Sequence, residues 1–312
     1  PFVGDWRGRL AAEQHDPQRE QHRFHARLAR GGWDGLAQRQ RGARADRVIL
    51  ATDPDSDRVG VACPLPAGGH RLLNGNEVAA LLTEFRLSSL KDAGILPEAG
   101  SPNAAVVKSL VTTPLVAAIC ARHGIRCVET LVGFKWIARK LENWHRRLTE
   151  GAGPDAAALP LRRRAPLALR HSTLFLLGAE ESYGYLAGDF VRDKDAIGSA
   201  CLLAEAAAYH AANGSSFYHA LLGLYARHGV HQDELLSVTK PGRSGLEEIQ
   251  AIMARLRTAT PTEVAGVPVA EVVDYQQRSK RVLADGSTSA LTLPASNVIQ
   301  LVMANGDRIT AR

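Results

Sequence analysis

The sequence of 312 residues contains little cysteine, few aromatic residues and no long apolar run. None of its four cysteines stands in a C-x-x-C motif, which argues against a zinc site and against a disulfide framework. They are predicted to be reduced core cysteines of a cytosolic protein, so the predicted location is cytoplasmic. No apolar run approaches the roughly 20 residues of a transmembrane helix, and we expect no membrane partner. There is no signal peptide, and the start at Pro1 rather than Met predicts a fragment or a processed chain.

Positive charge is concentrated at the start of the chain. Of the formal net charge of +6, residues 1–47 contribute +4, from ten arginines and six acidic residues. A basic arm of this kind can bind nucleic acid, but this one has no aromatic interleaving and no recognised motif. We therefore predict no nucleic-acid partner and an atypical, irregular Arg-rich tail over residues 1–45. A misread frame in an Arg-rich coding region stays open as an alternative.

Three aspartates at alternate positions form the most informative motif of the chain. Asp53, Asp55 and Asp57 directly follow an apolar run, which predicts a buried strand over 47–52. A tight loop after a strand can aim all three carboxylates at one point, and such oxygen ligands suit Mg²⁺ beside a phosphate. Arg58 comes next, and its planar cation suits a phosphoryl group that is shared with the metal.

An EF-hand loop and a solvated acidic turn are two other interpretations of this motif. An EF-hand loop requires Gly at its sixth position and Glu at its twelfth, whereas counting from Asp53 these positions hold Arg58 and Pro64. A solvated acidic turn without any ligand stays open, because Asp and Pro are ordinary turn residues.

Predicted strands and helices alternate along most of the chain. The patterns predict strands over 47–52, 59–63, 105–111, 126–129, 174–177 and 234–239, and helices over 73–90, 113–123, 134–148, 195–212, 217–228 and 245–256. This order predicts an α/β fold with a mostly parallel sheet and flanking helices, whose ligands bind at the carboxyl ends of strands. The Pro-, Ala- and Arg-rich residues 151–170 predict a surface loop. Tight turns are predicted at Asp285-Gly286 and Asn305-Gly306.

Four stretches in this order resemble the α-D-phosphohexomutase family, and most closely its bacterial phosphoglucomutase/phosphomannomutase branch, which is related to phosphopentomutase. The resemblance covers about residues 46–312. The stretches are Asp53-Pro-Asp-Ser-Asp-Arg58, Leu131-Val-Gly-Phe-Lys-Trp-Ile137, Gly178-Ala-Glu-Glu-Ser-Tyr-Gly184 and Asp189-Phe-Val-Arg-Asp-Lys-Asp195.

The resemblance implies a division into domains. Residues 46–68 would be the end of domain 2 with the metal loop, residues 69–232 domain 3 with the sugar loop, and residues 233–312 a partial α+β domain 4. The family's Ser-His-Asn-Pro-type serine loop and its Arg-Pro-Ser-Gly-Thr phosphate loop are both absent from the sequence. We therefore expect a fragment that lacks domain 1 and the end of domain 4, and that is inactive alone.

The resemblance also implies roles for individual residues. The three aspartates would ligate Mg²⁺, and Arg58 would contact the phosphate of the phosphoserine or its neighbours. Glu180 and Ser182 would hydrogen-bond sugar hydroxyls, and Gly133 would let the backbone approach the sugar ring. Lys135 and Lys194 would neutralise phosphate or bind sugar oxygens.

The implied reaction is the interconversion of hexose 1-phosphate and hexose 6-phosphate, with glucose or mannose as the sugar. It would proceed through a phosphoserine and a bisphosphate, with glucose 1,6-bisphosphate as the activator and a sugar phosphate as the partner of a monomeric or dimeric protein. The alternatives are a phosphopentomutase, a glucose-1,6-bisphosphate synthase and a non-catalytic sugar-phosphate binding module.

Overall fold

The computed structural model describes residues 47–312, so the predicted tail over 1–45 lies outside the described residues. The first sheet is antiparallel and has the order β1 (Ile49–Thr52), β2 (Val59–Pro64) and β3 (His70–Leu73). Alternate residues of β2 are fully buried, at Val59, Val61 and Cys63. The predicted strand over 59–63 is confirmed. A strand also forms within 47–52, but β1 is at the edge of the sheet and half-buried to exposed rather than buried. Strand β3 was not predicted.

The second sheet places the predicted strand–helix units around a parallel core. It contains β4 (Ser101–Ser109), β5 (Ile125–Thr130), β6 (Leu174–Glu180) and β7 (Gly184–Leu186), in the order β5-β4-β6-β7. Strand β4 runs parallel to β5 and β6, whereas β7 is antiparallel to β6. The carboxyl ends of three parallel strands therefore meet at one edge.

Helices cover both faces of this sheet. They are α1 (Gly75–Asp92), α2 (Leu115–Arg122), α3 (Phe134–Ala152), α4 (Leu161–His171), α5 (Ala196–Ala212) and α6 (Phe217–His228). Ala104 and Val106 of β4 lie in the hydrophobic cluster of α1 and α2, whereas Ala105 and Val107 pack with α3. This alternation is the period of a strand that is buried on both faces, and it confirms the α/β class.

The third sheet lies in the last part of the chain. It has the order β11 (Thr288–Ala290), β10 (Ser279–Val282), β9 (Val267–Asp274), β12 (Ile299–Met303) and β13 (Arg308–Ala311), with β8 (Glu263–Val264) paired to β9. Met253 of α7 (Gly242–Thr258) packs on this sheet with Val269 and Leu301. Both predicted turns are confirmed, with Gly286 at φ 71° and Gly306 at φ 91°.

Two sequence predictions are wrong. Residues 151–170 are not a loop, because they contain a short 3-10 helix (Ala156–Ala158) and most of α4. Arg162, Arg163 and Arg170 of α4 are exposed, while Ala165 and Ala168, spaced by a helical turn, are buried. Residues 234–239 are not a strand, since 229–241 have no regular structure. A β-prone run forms a strand only where another strand pairs with it.

None of the helices in the described part of the chain is long and apolar enough to cross a membrane. The domain boundaries at 45/46, 68/69 and 232/233 stay predictions.

Candidate active site

The three aspartates lie in the turn between β1 and β2. Asp53 Oδ1 accepts hydrogen bonds from the backbone N–H groups of Asp57 and Arg58, each 3.0 Å long. Ser56 stands at the tip with φ 58°, in the left-handed region that tight turns require. The short sequence spacing is thus converted into a closed loop, and one oxygen from each of Asp53, Asp55 and Asp57 lies within 4.8 Å of the others.

These three carboxylates fit a hard divalent cation. In an octahedral Mg²⁺ site with bonds of about 2.1 Å, ligand oxygens lie about 3 to 4.2 Å apart, so small rotations of the side chains suffice. Burial raises the pKa of Asp53 to about 6; the amide of Arg58 opposes this rise, and the carboxylates of Asp57 and Asp55 add to it. A cation at this point would offset that repulsion.

Glu180 lies at the carboxyl end of β6 and joins two loops. It is 6% exposed, and its Oε1 accepts a hydrogen bond of 2.7 Å from the backbone N–H of Gly133. Gly133 has φ 112°, a conformation that side chains rarely adopt, and it immediately precedes α3. Burial raises the pKa of Glu180, and the Gly133 amide opposes this rise. Two separately predicted site residues, Glu180 and Gly133, are therefore in direct contact.

The sugar loop (residues 181–183, between β6 and β7) is tied to the metal loop through the backbone. Val59 N donates to the carbonyl oxygen of Tyr183 at 3.1 Å, and Arg58 forms an isolated β-bridge with Gly184. Ser182 is the middle residue of the sugar loop and is half-buried. Arg58 Nε is buried without a hydrogen-bond partner, 3.6 Å from Asp57 Oδ1.

Lys194 links the fourth predicted motif, residues 189–195, to the metal loop. Its Nζ lies 2.8 Å from Asp57 Oδ2 and 3.0 Å from Asp193 Oδ1, and 5.6 Å from the centre of the Phe134 ring. Burial alone would lower the pKa of Lys194 and raise that of Asp57. Their mutual contact outweighs this, so the pKa of Lys194 is raised and that of Asp57 lowered.

The comparison with known proteins identifies the family of the chain. Residues 74–153 and 164–225 match the sequence profile of phosphoglucomutase/phosphomannomutase, alpha/beta/alpha domain III. The phosphoglucomutase of Staphylococcus epidermidis is 31% identical over 259 residues, which is 83% of this chain and 41% of that protein. The chain belongs to the phosphohexomutase family. The phosphoglucomutase of Staphylococcus haemolyticus is also 31% identical, over 260 residues, 83% of this chain and 41% of that protein.

Among solved structures, one match is the open form of Paramecium parafusin, a phosphoglucomutase. It has a TM-score of 0.46 and 16% identity, and the match covers 84% of this chain and 37% of that one. This phosphohexomutase-family chain thus spans about two fifths of the length of its curated relatives.

Lys135 stands apart from the other predicted residues. It is exposed in the first turn of α3, with its Nζ 5.5 Å from the centre of the Trp136 ring. Within residues 47–312, no hydrogen bond or ion pair joins it to the other predicted site residues. Its role stays a prediction.

The sequence analysis missed a close backbone contact beneath the sugar loop. A Cβ atom on Gly75 would lie 1.9 Å from the carbonyl oxygen of Glu181, so only glycine allows α1 to approach the loop this closely. The hydroxyl of Tyr185 donates to the carbonyl oxygen of Gly75 at 2.8 Å. The sequence signal for this contact was Gly75 at the start of a helix, next to the capping box of Asn74 and Glu77.

Glu181 was also given no role, and it holds the loop from the other side. Its Oε2 accepts a hydrogen bond of 3.0 Å from Ser109 Oγ, and its Oε1 lies 3.5 Å from Arg312. The neighbouring Lys108 is fully buried, with its Nζ 2.8 Å from Glu129 Oε1 and 2.9 Å from the carbonyl oxygen of Thr112. A lysine within an apolar strand was the signal in this case.

Proposed function

We propose that this chain supplies the Mg²⁺ site and the sugar-binding loop of a phosphohexomutase. The reaction would interconvert hexose 1-phosphate and hexose 6-phosphate, with glucose or mannose as the sugar and glucose 1,6-bisphosphate as the activator. The observation that carries the proposal is the contact of Lys194 with Asp57, because it joins the metal loop to the sugar-loop side of the site. The relatives named phosphoglucomutase support the choice of substrate class.

The aspartates would hold the cation. When bound, Mg²⁺ would neutralise charge on the phosphoryl group as it is transferred. Asp53 Oδ1 is already engaged by two backbone N–H groups, so its Oδ2 is the oxygen left for a metal. Asp55 is exposed and has the greatest freedom to turn toward it.

Two cations face the place where a phosphate would lie. Arg58 Nε is buried without a hydrogen-bond acceptor, which is unfavourable unless a ligand supplies one. Lys194 would keep donors for phosphate oxygens once Asp57 ligates the metal. Together they would position a dianionic group next to the cation, and positioning is the main contribution of a protein to phosphoryl transfer.

Glu180 and Ser182 would select the sugar. The carboxylate of Glu180 has one oxygen fixed by Gly133 N–H, and the other can accept from a sugar hydroxyl. Ser182 can donate or accept. A phosphopentomutase or a bisphosphate synthase would use the same residues, so the identity of the sugar must be measured.

The test measures binding, because the sequence offers no serine loop to carry the phosphoryl group. Titration of Mn²⁺ followed by electron paramagnetic resonance should give one tight site in the wild-type protein. The affinity should fall at least about tenfold in Asp55→Asn, since one of three anionic ligands is lost. The control is Asp155→Asn, at an exposed position outside the site. Equal Mn²⁺ affinity in Asp55→Asn and wild type would refute the metal assignment.

Calorimetry with glucose 1,6-bisphosphate, glucose 6-phosphate and ribose 5-phosphate tests the sugar. In the presence of Mg²⁺, we expect the two hexose phosphates to bind more tightly than ribose 5-phosphate. Preference for the pentose phosphate would favour the phosphopentomutase alternative. Absence of binding for all three would contradict the proposed function.

A further inference from the structure

The segment that carries Lys194 has a buried anchor of its own. This connecting segment (residues 187–195) runs from β7 to α5 without regular structure. Asp189 is 9% exposed, whereas the next residue, Phe190, is 73% exposed. In the described part of the chain, no backbone–backbone hydrogen bond ties residues 187–193 to the rest of the fold. The end of the segment is tied through the backbone, because Asp195 N donates to the carbonyl oxygen of Tyr185 and Ala196 N to that of Ser56. For residues 187–193, the Asp189 side chain is therefore a principal attachment.

Asp189 is held by two cationic or polar side chains from two helices. His145 Nε2 on α3 lies 2.9 Å from Oδ2, and Arg164 on α4 donates to Oδ1 at 2.6 Å. Burial alone would raise the pKa of Asp189, but the hydrogen bond of His145 and the charge of Arg164 lower it. The carboxylate is thus ionised at neutral pH and makes charge-assisted hydrogen bonds.

Arg192 closes this network from within the connecting segment. It donates to the carbonyl oxygen of Asp189 at 2.6 Å and to His145 Nδ1 at 2.7 Å. A guanidinium group can only donate, so Nδ1 must accept and Nε2 must carry the proton that His145 donates to Asp189. One tautomer of His145 therefore satisfies both contacts.

Helix α3 connects this anchor to the site. Phe134, in its first turn, lies beneath the Lys194 ammonium, and His145 follows 11 residues later, about 16 Å along the axis. The same helix therefore contacts both Lys194, through Phe134, and Asp189, through His145. Arg164 is itself fixed, because it also donates to the carbonyl oxygen of Ala157 at 2.9 Å.

We propose that His145 and Arg164 are positioning residues, which act through Asp189 to keep the Lys194 ammonium at the metal loop. His145 and Arg164 contact neither the three aspartates of the metal loop nor the sugar loop. When Asp189 is released, residues 187–193 lose this attachment while the backbone bonds of Asp195 and Ala196 remain, and the Lys194 ammonium exchanges its contact with Asp57 for solvent. The relevance to sugar-phosphate binding rests on the proposed function, whereas the position of Lys194 can be measured independently of it.

The test is the acetylation of lysines by acetic anhydride, measured by mass spectrometry. Lys194, whose side chain is 13% exposed, is compared with exposed Lys135 as the reference and with Lys108, 1% exposed, as the reporter of general loosening. In His145→Ala the Lys194/Lys135 ratio should rise about tenfold, because a buried hydrogen bond to a charged group is lost. Lys108 should stay protected.

Two variants separate positioning from general support of the fold. His145→Gln keeps a donor for Asp189 and should restore the wild-type ratio. His219→Ala is the control, because the His219 side chain contacts Ser216, the N-cap residue of α6, and not Asp189, so the Lys194 ratio should not change. An unchanged Lys194 ratio in His145→Ala would overturn the proposal. The proposal would also be overturned if acetylation of Lys108 rose together with that of Lys194 and His145→Gln did not restore the wild-type ratio.

If His145→Ala does not fold, Arg192→Ala decides the question. Arg192 is 39% exposed, and its removal deletes the two bonds to Asp189 and His145 without opening the core. The Lys194 ratio should rise about threefold, and no rise would overturn the proposal. Calorimetry with glucose 1,6-bisphosphate on the same proteins separates the two ideas. Failure of the wild type to bind would refute the proposed function and leave the acetylation result valid.

Discussion

The contact of α1 with the sugar loop gives a sharp test of the structure. A Cβ atom on Gly75 would lie 1.9 Å from the carbonyl oxygen and 2.7 Å from the carbonyl carbon of Glu181. Ordinary contacts need more than about 3 Å, so Gly75→Ala must push the loop and the helix apart by more than about 1 Å. Backbone atoms are involved on both sides, so rotation of a side chain cannot relieve the clash.

The magnitude follows from three terms. Overpacking at a close contact costs about 1–3 kcal/mol. Loss of the buried hydrogen bond from Tyr185 to the carbonyl oxygen of Gly75 adds about 1–2 kcal/mol. Alanine is favoured over glycine in a helix by up to about 1 kcal/mol, which opposes both. The net expectation is a loss of about 2–4 kcal/mol, or about 3–6 °C in Tm for a chain of this size.

Gly223→Ala is the matched control. Gly223 lies inside α6, and the nearest atom to an added Cβ is Arg227 Nη1 at 3.4 Å. There is room for the methyl group, so the same substitution should stabilise the protein by about 0.5–1 kcal/mol. Urea denaturation of both variants compares the two signs directly.

The two variants should also differ in binding. Displacement of the sugar loop in Gly75→Ala should weaken glucose 1,6-bisphosphate binding, whereas Mn²⁺ binding should change little, because the metal loop closes through its own hydrogen bonds. If Gly75→Ala proves as stable as wild type, the close approach of α1 to the loop is wrong.

Three further predictions concern charged groups of the site. An added Cβ at Gly184 would lie 2.3 Å from Lys194 Cδ and would displace that side chain. Gly184→Ala should therefore weaken glucose 1,6-bisphosphate binding about tenfold in calorimetry, whereas the Mn²⁺ affinity should not change. Unchanged affinity for glucose 1,6-bisphosphate would contradict the role of Lys194. The partners of Asp189 outweigh burial and hold its pKa below the usual 3.8, so its stabilisation is complete above that value and is lost as the pH falls through the lower, folded pKa. Urea unfolding of Asp189→Asn should therefore differ most from wild type at neutral pH, and an equal difference in strong acid would refute this sign. Burial raises the pKa of Glu180, so the fold disfavours its charge, and Glu180→Gln should raise Tm at pH 7 and abolish sugar-phosphate binding. Unchanged binding would mean that Glu180 does not contact the sugar.

The parts of the site that the sequence predicts well are those built by local contacts. Asp53 bonds to backbone groups only four and five residues away, so the spacing of the aspartates alone constrains the loop. The turns at Gly286 and Gly306 were predictable for the same reason, since each depends on two residues. The alternating strands and helices followed from periodicity, which is also a local property.

The errors arose where a second element decides the outcome. Residues 161–171 have the composition of an exposed basic loop, and only the burial of Ala165 and Ala168 against the sheet makes them a helix. Residues 234–239 have the propensity of a strand, but propensity cannot supply a partner. In both cases tertiary packing overrides the local preference.

The sugar side of the site shows why its supporting residues were missed while its motifs were found. Glu180 and Gly133 stand 47 residues apart, and Gly75 and Tyr185 stand 110 apart, so no window of the sequence contains both partners. The motifs identify which side chains face the ligand, but the contacts that hold them come from the ends of other strands and helices. His145 and Arg164 are of this second kind, as each is an ordinary surface residue type in the sequence. Asp189 opens the fourth motif, but the sequence predicted no role for it. Burial within the fold is what turns these three residues into a network, and changing them tests whether the position of Lys194 depends on contacts far from the ligand.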